Sequence, residues 1–217
     1  MPFPGYTVIT PPWREETENL AFYEKLLACQ EQLLQQLDTE LLVPVPPESF
    51  HLTVADLIWD SAYRHAVSEN PEFEVQLRER IAQSFEQCKT QLTGGNPSRW
   101  QLLGLIVMPR ALAVCLLPKN EAAYEQIKQF RRFIYQNPDL IALGIEQQYH
   151  FTAHITLGYF GDIPPSLDRD SLKATMTELN EQWVETPQEL LIHRAELRKF
   201  EDMTRYDRLG DWPVFEF

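Results

Sequence analysis

Residues 50–59 read FHLTVADLIW and residues 150–160 read HFTAHITLGYF, and within them lie His51-Leu52-Thr53-Val54 and His154-Ile155-Thr156-Leu157. Both motifs have the form His, apolar, Thr, apolar. β-Branched and aromatic residues dominate the two stretches, so each reads as a strand. On a strand, side chains alternate between faces, which puts His and Thr on one face about 6.6 Å apart and the apolar pair on the other. Each motif thus anchors its strand in a core while presenting an imidazole beside a hydroxyl. The chain has five histidines and 13 threonines in 217 residues. About 0.06 such motifs are expected by chance, and two arise on the order of once in 500 chains. A single motif is ordinarily a histidine satisfied on a half-buried sheet; a matched pair argues for one site.

Outward from the motifs, the same order of elements occurs twice. Tyr6–Thr10 is a predicted strand between Pro-Gly and Pro-Pro. Apolar residues recur at helical spacing from about Glu16 to Leu37, and a Pro-rich connection leads into the first motif. A second helix is expected over Pro71 to about Leu92, ended by Thr93-Gly94-Gly95-Asn96-Pro97. A hairpin comes next, Trp100–Met108 with Ala111–Leu117, turned at Pro109-Arg110. After it stand a helix over Glu121–Tyr135, the second motif strand and a helix from about Leu167 to Trp183. A strand over Glu189–Phe200, a polar loop through Arg208 and a terminal strand near Trp212–Phe217 complete the chain. From Tyr6 to His51 is 45 residues and from Ala111 to His154 is 43. The reading is one α+β domain over residues 1–217, with two pseudo-symmetric lobes, about 1–98 and 99–217, between which terminal strands can exchange.

The 19 basic against 32 acidic residues give a net charge of −13, which repels long polyanions and excludes a protein that coats nucleic acid. A small anion is still admissible, because donors in a cleft outweigh a field screened beyond about 10 Å. No apolar run reaches the roughly 18 residues of a membrane span. The start, MPFPGYTVIT, has no basic segment before an apolar run, so a cytoplasmic monomer is the expectation. Cys29, Cys88 and Cys115 are few and widely spaced and read as small buried hydrophobes.

Two histidines and two hydroxyls around one point suit phosphate ester cleavage. One imidazole, neutral, activates water while the other, charged, protonates the departing oxygen. Threonine hydroxyls hold the charge that spreads over the non-bridging oxygens. No metal or cofactor is called for. Alternation would put His150 and Thr152 on the face of His154, but His150 and His154 at four residues on a strand stand about 13 Å apart, too far to share zinc. His65 and His193 lack companions. Arg131-Arg132 read as a solvated helix face, whereas Arg110, Arg205 and Arg208 are candidate phosphate partners. Asp56 and Asp60 follow the first motif and have no role in this scheme.

These motifs, in the settings VPPESFHLTVADL and FTAHITLGYFG, resemble those of the two-histidine (2H) phosphoesterase superfamily, which includes RNA 2′,3′-cyclic phosphodiesterases once called 2′-5′ RNA ligases. The start, PGYTVIT, is similar to its bacterial and cyanobacterial branch. The resemblance implies a bilobal α+β fold with antiparallel sheets lining a central cleft. It implies His51 and His154 as acid and base, and Thr53 and Thr156 as phosphate binders. The stretch LRKFEDMTRYDRLGDWP resembles the family's last hairpin and makes Tyr206 a substrate-side aromatic. The implied activity is hydrolysis of a 2′,3′-cyclic phosphate or related phosphodiester of a small nucleotide or RNA end. Members acting on RNA ends carry basic residues at the cleft; this acidic chain departs from that pattern, which favours a small nucleotide or other cyclic phosphate. A non-catalytic module that binds a nucleotide or a protein partner on the same fold is the alternative.

Overall fold

The computed structural model describes residues 2–37, 40–92, 96–184 and 188–217. The element order is β1 (Gly5–Ile9), α1 (Leu20–Gln36), β2 (Leu42–Pro44), β3 (Thr53–Trp59), α2 (Asp60–Glu69), α3 (Phe73–Gln91), β4 (Ser98–Val107), β5 (Ala111–Pro118), α4 (Glu121–Tyr135), α5 (Pro138–Ala142), β6 (His154–Phe160), α6 (Arg169–Val184), β7 (Glu189–Ile192), β8 (Arg194–Asp202), β9 (Arg205–Asp207) and β10 (Val214–Glu216).

Among the described residues, ten strands form two antiparallel sheets, and the architecture is α+β. One sheet has the order β10-β8-β1-β3, with β9 paired on β8; the other has the order β2-β6-β5-β4-β7. Set side by side from their motif strands, β3-β1-β8-β10 and β6-β5-β4-β7 run through equivalent positions. Each sheet takes strands from both ends of the chain: β8 to β10 complete the sheet begun by β1 and β3, and β2 adds to the edge of β6. The apolar inner faces meet in a common core. Val8, Leu52, Val54, Val114, Ile155 and Leu157 are each at most 2% exposed, and Phe85, Phe130 and Phe215 cluster with them. Helix α4 packs on β3 as well as on β4 and β5, which ties the two sheets together.

Several sequence expectations need correction. The Pro-rich connection contains the short strand β2, and the stretch after the first motif continues into α2. The expected strand over Glu189–Phe200 is two strands, β7 and β8, broken at His193 and paired in different sheets. The polar loop through Arg208 contains β9. The breaker proposed at Thr93-Gly94-Gly95 lies outside the described residues. Among those residues, no helix is long and apolar enough to cross a membrane.

Candidate active site

His51 precedes β3 by two residues. Pro46 and Pro47 set a 3₁₀ turn over Pro47–Ser49, closed by Ser49 and Phe50 amides donating to the Pro46 and Pro47 carbonyls. Phe50, 1% exposed, stacks on Trp13 at 6.3 Å and pins the chain there. Beyond it the Leu52 amide donates to the Thr10 hydroxyl, and the Thr10 amide donates to the Leu52 carbonyl, both at 2.9 Å. This joins the motif to the end of β1. His154 opens β6, opposite Cys115 of β5.

The two imidazoles are held alike. Nδ1 of His51 lies 2.7 Å from the Ser49 carbonyl, and Nδ1 of His154 lies 2.7 Å from the Thr152 carbonyl. A carbonyl only accepts, so each Nδ1 carries a proton and each Nε2 is the nitrogen left for chemistry.

His51, Thr53, His154, Thr156 and Tyr206 all line one cavity of about 230 Å³. The second sheet also contributes Tyr159, and the first contributes Asp56. Met203 and Tyr206 come from the β8–β9 hairpin, Met108 from the β4–β5 turn, and Tyr149 from the segment before β6. Larger open grooves of about 520 and 620 Å³ lie elsewhere, but no described residue of their linings is a histidine. Tyr206 sets its ring edge-on to His51 at 4.2 Å between centroids. Burial pushes the Tyr206 and Tyr159 phenols up from their ordinary value, so both hydroxyls keep their protons as donors. The Tyr159 hydroxyl also shares a hydrogen bond with Thr156.

Burial pushes the His51 imidazole down to about 4; the Ser49 carbonyl bond opposes this, and repulsion from His154 and Arg198 adds to it. His51 is therefore neutral at pH 7. Arg198 acts from below. It is 2% exposed and donates to Glu15 at 2.9 Å, to Glu196 at 2.8 Å and to the Tyr206 carbonyl at 3.0 Å. It thereby holds the β8–β9 hairpin that carries Tyr206.

Among the other candidates, His150 is exposed, because β6 starts only at His154 and the alternation does not extend back to it. Thr152 serves through its carbonyl rather than its hydroxyl. None of Arg110, Arg205 and Arg208 lines the cavity: Arg205 pairs with Asp207, and Arg208 donates to the carbonyls of Gly210 and Trp212. His65 is exposed, and His193 stands 3.8 Å from Glu16. Arg131 is not on a solvated face. It is 8% exposed, donates to the Val54 carbonyl and lies over the rings of Tyr135 and Phe151. Among the described residues, no group of three His, Cys, Asp or Glu could hold a metal ion.

Sequence reading missed Asp56, Tyr149 and Tyr159. Asp56 and Tyr159 stand at the same offset from their histidines, in HLTVAD (51–56) and HITLGY (154–159). Strict alternation would turn that sixth position away from the first and third. A bulge intervenes in each strand: β1–β3 pairing shifts between Val8 and Ile9, and β5–β6 pairing shifts between Leu112 and Ala113. An extra residue reverses the facing of the residues beyond it, so both sixth positions turn to the cavity.

The two sheets share a core, and one histidine from each motif lines the same cavity. The solved structures agree on that fold. A conserved protein of unknown function, ATU0111 from Agrobacterium tumefaciens, aligns at a TM-score of 0.66 and 15% identity over 96% of this chain and 85% of its own. Escherichia coli LigT complexed with NADP+ aligns at 0.52 and 12% identity, over 100% of this chain and 98% of its own. LigT complexed with 3′-AMP aligns at 0.50 and 15% identity, over 98% of each chain. Residues 1–88 match a family described as "2H-phosphodiest: Domain of unknown function (DUF1868)"; His51 lies inside that match and His154 beyond it. The first 88 residues are thus similar to that family, and the whole chain shares the fold of the solved structures. No curated protein matches the sequence.

Proposed function

We propose that the protein hydrolyses a phosphodiester of small size, a 2′,3′-cyclic nucleotide or related cyclic phosphate, with His51 and His154 as the proton-transfer pair. The observation that carries this reading is the equivalent setting of the two imidazoles. Each reaches one cavity from a different sheet, its Nδ1 is committed to a backbone carbonyl, and a threonine of its own motif lines the same space.

His51, neutral at pH 7, takes the proton from the attacking water as its oxygen bonds to phosphorus. His154 enters the step protonated and gives its proton to the ester oxygen as the P–O bond breaks. The products are a monoester and a hydroxyl, and solvent exchange returns the two rings to their starting protonation. Thr53, Thr156 and the Tyr206 and Tyr159 hydroxyls hold the non-bridging oxygens, with donors pre-set where charge gathers. Each proton transfer contributes about 10²–10⁴-fold.

Among the described residues that line the cavity, none is lysine or arginine. That favours a substrate whose contribution is a single phosphodiester rather than a run of phosphates. That E. coli LigT has been crystallised with 3′-AMP and with NADP+ makes small nucleotides the first substrates to try. The test is release of a nucleoside monophosphate from 2′,3′-cyclic nucleotides in the presence of EDTA. Turnover that survives the chelator is the expected result, and turnover that EDTA abolishes would overturn the metal-free scheme.

A further inference from the structure

Among the described residues the cavity has one carboxylate, Asp56, and the proton-transfer scheme leaves it idle. Its place is built rather than incidental. The bulge in β3 turns Asp56 onto the face of His51 and Thr53, as the matching bulge in β6 turns Tyr159 onto the face of His154 and Thr156. The pseudo-symmetric pair is thus a phenol on one wall and an acid on the other. Among the described residues, no ion pair within 4 Å neutralises Asp56. Burial pushes its carboxyl up from the ordinary value, while Arg131 of α4 and His154 pull against that. The Arg131 guanidinium is itself spent on the Val54 and Tyr149 carbonyls. The Asp56 backbone carbonyl accepts the Tyr135 hydroxyl at 2.7 Å, which fixes the residue without touching its carboxyl group.

A half-buried carboxylate facing an anion site is costly unless it serves selection. Hydrolysis of a phosphodiester changes the ligand's charge from −1 to about −2, because a monoester's second proton leaves near pH 6. The other polar side chains lining the cavity are uncharged donors or imidazoles, so they hold both anions. Asp56 repels the second more strongly than the first.

We propose that Asp56 discriminates by charge, tolerating the singly charged phosphodiester and expelling the doubly charged monoester, so that the product leaves. This rests on the phosphodiesterase reading for its biological sense, but its test needs no turnover. At pH 8, bind 3′-AMP, a dianion, and dimethyl phosphate, a monoanion, to the wild type, Asp56→Asn and Asp56→Glu by calorimetry.

Removing the charge removes that repulsion, so Asp56→Asn should bind 3′-AMP about tenfold more tightly and change dimethyl phosphate affinity less than about threefold. Asp56→Glu, which keeps the charge, should retain the wild-type ratio of the two affinities. Equal gains for both ligands, or weaker 3′-AMP binding by a folded Asp56→Asn, would overturn the inference. If the charge ratio shifts as expected but no phosphodiester is turned over, the reaction assignment fails and the selectivity of the cavity stands.

Discussion

Between pH 7 and pH 4.5 the wild-type chain should lose about 2.5 kcal/mol of stability that a His51→Gln variant keeps. In the unfolded chain this imidazole titrates near 6.5, and in the fold burial pushes it down to about 4. The unfolded state therefore takes up the proton first as pH falls. Stability is complete above the unfolded value, is lost as pH drops through 6.5 toward 4, and declines no further from this group below that. Each unit is about 1.36 kcal/mol, so roughly two of the two and a half units have been spent by pH 4.5, giving about 2.5 kcal/mol. Glutamine cannot ionise, and its amide can still donate toward the Ser49 carbonyl. The assay is urea unfolding of both proteins at the two pH values, compared as the difference of differences. Carboxylate titration is common to both chains and cancels. If the two proteins lose the same stability within about 0.5 kcal/mol, His51 is not a buried neutral base.

Two further outcomes rest on the same geometry. The rate of phosphodiester hydrolysis should rise with a midpoint near pH 4, as His51 gives up its proton; a rate flat from about pH 3 to 6 would contradict the assignment of His51 as the base. Arg198→Met should cost about 3 kcal/mol, since it leaves Glu196, 1% exposed, with Arg194 as its remaining charged neighbour; a loss under about 1 kcal/mol in urea unfolding would show that the buried pair is not what holds the β8–β9 hairpin.

Much of the fold was legible because the strong periodic segments agree with their tertiary setting. Helix α4 spans the residues its apolar spacing indicates, with Asn120 accepting from the Ala123 amide as its cap. β1 and the β4–β5 hairpin lie between the breakers that bound them. The illegible parts are mostly short or depend on partners distant in sequence. β2 has three residues and two of them, Val43 and Pro44, are exposed, so no pattern marks it. The chain from Glu189 to Asp202 is continuously β-forming; its division into β7 and β8 is decided by which sheet edge each half meets, and local preference says nothing of that.

The site shows the same division. The five residues indicated by motif and resemblance line one cavity, because alternation on a strand suffices to bring His and Thr of each motif to one face. Asp56 and Tyr159 escaped, because a bulge breaks that alternation one step beyond the motif. Arg131 escaped for another reason: its helix position suggested solvent, whereas its carbonyl partners at Val54 and Tyr149 come from elsewhere in the chain. The equal offset in HLTVAD and HITLGY was the one signal in the sequence that could have revealed the sixth positions.

The central claim is that two imidazoles divide one proton-transfer reaction, and alanine replacement measures it most directly. With 2′,3′-cyclic nucleotide as substrate and EDTA present, His51→Ala and His154→Ala should each lower kcat by at least about 10²-fold, with both variants folded by circular dichroism. Wild-type turnover matched by either variant would contradict the account.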